Sequence, residues 1–381
     1  MGLSSSLLIG QSALAASQLA LQVTGNNIAN VGTEGYTRQV IRLDPVGGDR
    51  FSSSIFVGRG VSVSDVRRTL DPALQARLRN GVSEENSASI SRDVASQIES
   101  ILNELSDADL STELDRFFRS FSELANNPSS SVNRSSAVEQ GASLASFIRA
   151  IRSDLVSSRQ QLDSQLGSNV RRADELLTQI AGLNLSVVQA ELGGGSDGSL
   201  RDQRDMLVQE LSSLMDVTVV EQSSGAIDIL VGSTPVVLGT DSRGLEFEQR
   251  TIDGQVEVRV LVRSDSEALS ITSGTIGGRL RERGQSIDQT IERLDGVASN
   301  LIFEVNKLHT SGRSLKRQSD LTGWLTVPTA ERGLAFNDPA NTTLADLPYK
   351  ATSGTFTVVV TDAQGNQSER QIAIDLNGID S

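Results

Sequence analysis

The first 33 residues carry no charged side chain, and along them Leu7, Leu14, Leu21 and Ile28 recur every seven residues, with Leu3, Gly10 and Ser17 on the same side. A seven-residue apolar repeat is the seam of a coiled coil, so the spacing predicts a helix whose stripe meets another helix. An uncharged outer face is unusual for a helix bathed in water, and both faces are expected to touch protein. Gly25 and the turn formers Asn26, Asn27, Asn30, Gly32 and Gly35 predict that the helix ends near Thr24.

Heptads return in the middle of the chain. One set is Leu155, Leu162, Asn169, Leu176, Leu183 and Ala190, and a second is Leu166, Ala173, Ile180 and Val187. They predict one long helix from about Ser135 to Leu192, roughly 85 Å at about 1.5 Å per residue. Leu280, Ile287, Leu294, Leu301 and Leu308, with Ile291, Ala298 and Val305 between them, predict a packing partner for it. Asn169 on the first seam either fixes register or is merely tolerated there. Ile90, Val94, Ile98, Ile101 and Leu105 add a helix over about Glu84 to Leu105.

From 217 to 262 the period changes to two. Val217, Val219, Ile227, Ile229, Val231, Val236 and Leu238 predict a small antiparallel sheet, and Glu246 to Val262, broken at Asp253-Gly254, a hairpin. Phe356 to Val360 and Gln371 to Leu376, around a turn at Asp362 to Asn366, predict another. The expected fold is mainly α with β additions, an elongated helical bundle or coiled coil plus small antiparallel β domains. Its expected parts are a terminal helix and following turn (1–36), an extended connector (37–70), a helical bundle domain with a β insertion at about 217–262 (71–312), and the start of an outer β domain (313–381).

Composition narrows the chemistry. Only 3% of the residues are aromatic, so the core must be aliphatic. The absence of Cys removes disulfides, thiolate nucleophiles and cysteine zinc sites. The net charge is -14, only Lys307, Lys316 and Lys350 are lysines, and no basic run interleaves with aromatics, which argues against a nucleic-acid partner. Gln11, Ser12, Ser17 and Gln18 interrupt the N-terminal apolar stretch and no cationic residue precedes it, so neither a cleaved signal peptide nor a membrane span is expected. Met1 to Ser6 fits the loose myristoylation pattern only in a eukaryotic setting.

Gly193, Gly195 and Gly198 fit GxGxxG literally, but they follow a helix where a dinucleotide fingerprint must follow a strand, so they are expected to be a helix-breaking hinge. Ser199 with Asp202 resembles a capping box, which makes Asp202 and Asp205 cap and surface charge. His309 is the only histidine and lies at a predicted helix end, where a cation suits the free carbonyls. Glu84, Glu85, Asp107 and Asp109 follow helix-surface spacing. No catalytic residue, cofactor or metal site is expected.

The segment Asn27-Ile28-Ala29-Asn30-Val31-Gly32-Thr33-Glu34-Gly35-Tyr36-Thr37-Arg38-Gln39 resembles the N-terminal signature of flagellar rod, hook and hook-associated proteins. Its Gly-Tyr-Thr-Arg-Gln ending is similar to that of the hook-associated protein 1 (FlgK) family. Four further blocks resemble this family in the same order: Gly58 to Val63 leading to Arg68, Asp71 and Leu74; Phe117-Phe118 through Pro128 and Arg134; Leu200 to Asp205; and Val305 to Gly312.

The resemblance implies a structural adaptor at the hook–filament junction of the bacterial flagellum, exported by the flagellar type III apparatus without a cleaved signal peptide. It implies a ring or helical assembly of copies touching hook protein and hook-associated protein 3, with the N-terminal helix disordered until assembly. Family members close with a second terminal helix and a returning helix. Here the sequence stops after a strand, so the C-terminal part is expected to be missing and an export chaperone that grips it to be lost as a partner. Another flagellar axial subunit of hook or rod type, or a secreted coiled-coil adhesin or effector, are the alternatives.

Overall fold

The computed structural model describes residues 3–50, 56–103, 109–193, 195–252, 255–310, 312, 326–345, 347, 351–362 and 364–377. It divides into two compact units, Met1–Gln289 and Thr290–Ser381. The protein is mainly helical with small antiparallel sheets, the fold class that the hydrophobic pattern calls for.

The first unit opens with helix α1 (Leu3–Ala29), which runs five residues past Thr24 because Gly25 stays helical. The turn falls later, at Gly35, whose φ of 76° is the left-handed conformation that glycine adopts without a steric penalty. The connector is a β structure. Strand β1 (Gln39–Pro45) pairs antiparallel with β4 (Val61–Arg68), with a bulge at Arg42/Leu43, and β2 (Asp49–Arg50) pairs with β3 (Phe56–Val57) between them.

Four of the body helices start where a side chain caps them. Asp71 accepts from the N–H groups of Ala73 and Leu74 to open α2 (Pro72–Leu102), with Pro72 at the first position, where its missing N–H costs nothing. Asp109 opens α3 (Leu110–Asn126) by accepting from Thr112. Ser130 opens α4 (Ser131–Glu191), whose 61 residues extend about 90 Å. Asp197, and not Ser199, caps α5 (Gly198–Leu214), accepting from Ser199 and Leu200. The expected capping box is therefore replaced by a simple Asp cap two residues earlier.

Strands β5 (Thr218–Glu221), β6 (Ile227–Val231), β7 (Thr234–Leu238) and β8 (Asp241–Ser242) form an antiparallel sheet in sequence order, and β9 (Leu245–Ile252) pairs with β10 (Gln255–Val262). The hairpin tip, Asp253-Gly254, lies outside the described residues. Helix α6 (Gly274–Glu282) passes through a π-turn (Arg283–Asp288) into α7 (Gln289–Thr310), so the expected uninterrupted helix from Leu280 carries one wide turn.

The core of this unit is built on α4. Leu166, Val170, Ala173, Leu176, Leu177 and Ile180 pack with Val208, Leu211 and Met215 of α5, with Ile227, Ile229, Val231 and Val236 of the sheet, and with Ile276 of α6. The buried face is wider than a two-set seam, since Val170, Leu177 and Asn184 form a third buried row. The Leu155 row in turn drifts outward until Ala190 is exposed, as a 3.6-residue turn must drift against a 3.5-residue repeat. Asn169 donates to Thr275 Oγ1 at 2.9 Å and so ties α4 to α6.

In the second unit β11 (Gly354–Thr361) pairs with β12 (Gln367–Ile374) around a turn held by Asp362, which accepts from the N–H groups of Gln364 and Asn366. Glu331 accepts from the N–H and hydroxyl of Thr342, both at 2.8 Å, and organises the preceding turns. Lys316, Lys350, Leu105, Asp107 and the final residues 378–381 lie outside the described residues.

Candidate assembly surface

Helix α1 has two stripes on opposite sides. Leu7, Leu14, Leu21 and Ile28 are 75%, 61%, 73% and 70% exposed, and Leu8 and Val31 extend the same open apolar surface. The other stripe, Ser5, Ile9, Ser12, Ala16, Leu19, Val23 and Asn27, is the covered side and lies on β1 and β4. Val61 N–H donates to Ser12 Oγ at 3.3 Å, and Ser12 donates to the Ile9 carbonyl at 2.9 Å. Gly60, with φ of 105°, has no room for a Cβ beside Ser12 Oγ. The hydrophobic pattern shows only the first stripe, because in the second the apolar Ile9, Leu19 and Val23 are interrupted by Ser5, Ser12, Ala16 and Asn27. By length and composition α1 is long and apolar enough to cross a membrane. Its covered side, however, uses Ser12 and Asn27 to bind the protein's own strands, a job for a protein-facing helix.

The signature that follows α1 folds into one hydrogen-bonded turn. Asn27 Oδ1 accepts from the Gln39 N–H at 2.9 Å and from the Tyr36 hydroxyl at 2.8 Å, while its Nδ2 donates to the Gln39 carbonyl at 2.8 Å. Asn30 donates to the Asn26 carbonyl and side chain and accepts from Thr33 Oγ1. The Arg38 carbonyl accepts from Thr69 N–H at 2.8 Å, which closes the hairpin on the α2 side.

This turn docks on α5. Thr37 N–H donates to Asp202 Oδ2 at 3.0 Å, and Arg68 Nη1 donates to Asp202 Oδ1 at 2.8 Å and Asp205 Oδ2 at 2.7 Å. Gly35 lies against Met206, and Gly198 against Gln39 and Arg68, so close that a Cβ on either glycine would overlap its neighbour. Asp202 is only 6% exposed and bonds the N-terminal residues, so it is a buried partner of them and not the returning half of a capping box with Ser199. Burial works to lower the pKa of Arg68, but Asp205 and Asp202 outweigh it and the net shift is upward. Neighbouring Arg79 moves the other way, because desolvation there exceeds its attraction to Asp205.

The rest of the Leu200 to Asp205 block faces the body. Arg201 reaches Glu191 of α4 at 2.7 and 2.8 Å and Glu221 of β5 at 2.5 Å. Arg204, 1% exposed, donates to Asn184 Oδ1 at 3.0 Å and the Gly225 carbonyl at 2.8 Å, and desolvation lowers its pKa. Asn184, fully buried, also accepts from Ile227 N–H and donates to the Ile227 and Gly239 carbonyls. Arg204 belongs to the block singled out in the sequence, whereas Asn184 does not; the signal that would find Asn184 is its seven-residue spacing from Val170 and Leu177.

At this junction Arg68 and Arg201 are paired with carboxylates on neighbouring elements, which holds those elements together. Among the described residues no three His, Asp or Glu side chains come together as a metal site. His309 sits exposed in the last turn of α7, and Asp109 is the α3 cap.

The exposed stripe of the uncharged N-terminal helix and the glycine turn after it fall within residues 7–37, which match the family model described as flagella basal body rod protein. The model for the flagellar hook-associated protein FlgK helical domain matches residues 95–322, and the chain belongs to that family. It is 32% identical over 278 residues to flagellar hook-associated protein 1 of Bacillus subtilis, covering 70% of this chain and 54% of that protein. With flagellar hook-associated protein 1 of Salmonella typhimurium the identity is 29% over 312 residues, 79% of this chain and 56% of the relative. The chain thus spans about half the length of the curated relatives it matches. In structure it is similar to the flagellar hook junction protein FlgK from Burkholderia pseudomallei, with a TM-score of 0.52 and 26% identity, over 59% of this chain and 42% of that one.

Proposed function

We propose that this chain is a structural subunit of the bacterial flagellum, an adaptor at the hook–filament junction that assembles through α1 and the helical body. The observation that carries this is the open stripe of Leu7, Leu14, Leu21 and Ile28, on a helix whose opposite side is already occupied. Burying such side chains yields about 1.5–3 kcal/mol each, so the stripe calls for a partner helix in the assembled state. Asn27, Asn30, Gly35, Tyr36, Thr37, Arg38 and Gln39 serve this reading as the turn that presents the stripe.

The partners are further copies in a ring or helical array, hook protein on one side and hook-associated protein 3 on the other, reached after export by the flagellar type III apparatus. The work is mechanical and needs no catalysis. Family membership and the rod-type match over residues 7–37 support this reading over a secreted adhesin or effector. Deleting the gene tests it: cells are expected to bear hooks without filaments, and normal filaments would overturn it.

A further inference from the structure

We propose that a notch between α2, α4 and α6 binds a small oxyanion, held by the guanidinium of Arg279 and the hydroxyl of Ser158. The site belongs to the helical body and is independent of the assembly reading. Its cavity measures about 220 Å³, and the buried Val94 of α2 and Leu162 of α4 give it an apolar wall. Ser158 and Arg279 line it as well, and Gln97 and Gln161 do so from exposed positions.

Two buried polar atoms of these lining residues have no partner within the protein. Ser158 is only 4% exposed and its Oγ makes no hydrogen bond, whereas neighbouring Ser157 donates to the Ser153 carbonyl one turn back at 2.9 Å. Arg279 Nε donates to Gln165 Oε1 at 3.3 Å, but its Nη1 is buried without an acceptor. Leaving a buried donor unmet is costly, and more so for a charged group. Arg283, one helical turn further on, shows the usual remedy, since Asp163 and Asp288 pair with it. Among the described residues no carboxylate forms an ion pair with Arg279, and burial pushes its pKa down against the attraction of Asp93. Water in the notch would supply acceptors but no charge. An oxyanion supplies both, accepting from Arg279 Nη1 and Ser158 Oγ while it offsets the desolvated guanidinium. Asp93 opposes such an ion, but from an exposed position where solvent and salt screen it.

Equilibrium dialysis of the full chain against radiolabelled inorganic phosphate in chloride buffer tests the site. Saturable binding of one phosphate per chain is expected, and excess sulfate should displace it. R279M keeps an unbranched stem and removes the charge, and is expected to weaken binding about tenfold or more, the scale of one lost charge-assisted hydrogen bond. S158A is expected to weaken it about fivefold, the scale of a neutral one. No saturable binding, failure of sulfate to compete, or unchanged affinity in an R279M chain of unchanged helix content would overturn the site. If R279M loses helix content, S158A decides: a several-fold loss of affinity supports the site, and an unchanged affinity refutes it.

Discussion

The side-chain amide of Asn27 meets the main chain of Gln39 as a neighbouring strand would, accepting the N–H at 2.9 Å and donating to the carbonyl at 2.8 Å. Twelve residues apart, the end of α1 and the start of β1 are joined by this one side chain, which also receives the Tyr36 hydroxyl. Asn27→Ala leaves the Gln39 groups unpaired and is expected to destabilise the module by about 1–3 kcal/mol. Faster hydrogen exchange at Gln39, with the α4 core unchanged, is the readout.

Leu14→Asp places a charge on the open stripe. In the free chain this residue is exposed, so the cost to folding is expected to stay within about 0.5 kcal/mol. In the assembly the same charge would be buried without a counter-ion, and incorporation should fail. Thermal melting of the purified chain and its recovery from isolated flagella separate the two effects. Normal incorporation of the variant would remove the stripe from the interface.

Arg283 lies buried in the π-turn and donates to Asp163 of α4 at 2.6 Å, to Asp288 at 3.0 Å and to the Val256 carbonyl of β10 at 2.6 Å. Removing it strands a buried Asp163, so R283M is expected to cost about 3–5 kcal/mol in urea unfolding. The double variant R283M/D163L removes both charges and should recover much of that loss.

Glu191 binds Arg201 through two short contacts, which hold its carboxyl below the ordinary glutamate value near 4.5 despite the opposing pull of burial. A carboxylate with a depressed folded pKa contributes stability above its unfolded pKa and loses it as the pH falls through the folded one. The α4–α5 corner should therefore hold its stability above about pH 5 and weaken progressively in more acid solution. E191Q is expected to be less stable at neutral pH by about 1–3 kcal/mol and to show a flatter acid limb in denaturant titrations.

Period and spacing made the helices and sheets legible, because α4 buries the row Leu166, Ala173, Ile180 and Val187 throughout and β6 alternates buried with half-buried positions. The ends were less so. Gly25 reads as a stop, yet glycine tolerates a helical conformation and the real turn waits for Gly35, where the left-handed backbone is required. The π-turn Arg283–Asp288 contains Ile287, and Leu280 and Ile287 keep the seven-residue apolar spacing of a regular helix, so no pattern betrays it. At the assembly surface the open stripe was visible as a heptad, whereas the covered stripe of Ser5, Ser12 and Ala16 was not. The docking of Thr37 on Asp202 joins residues 165 positions apart, and short-range spacing alone made Asp202 look like a helix cap.

The most direct measurement is immunogold electron microscopy of purified flagella with antibodies raised against this chain. Label is expected as a narrow band where hook meets filament. Label confined to the rod, spread along the filament, or found only in the medium would contradict the proposed place of this chain in the organelle.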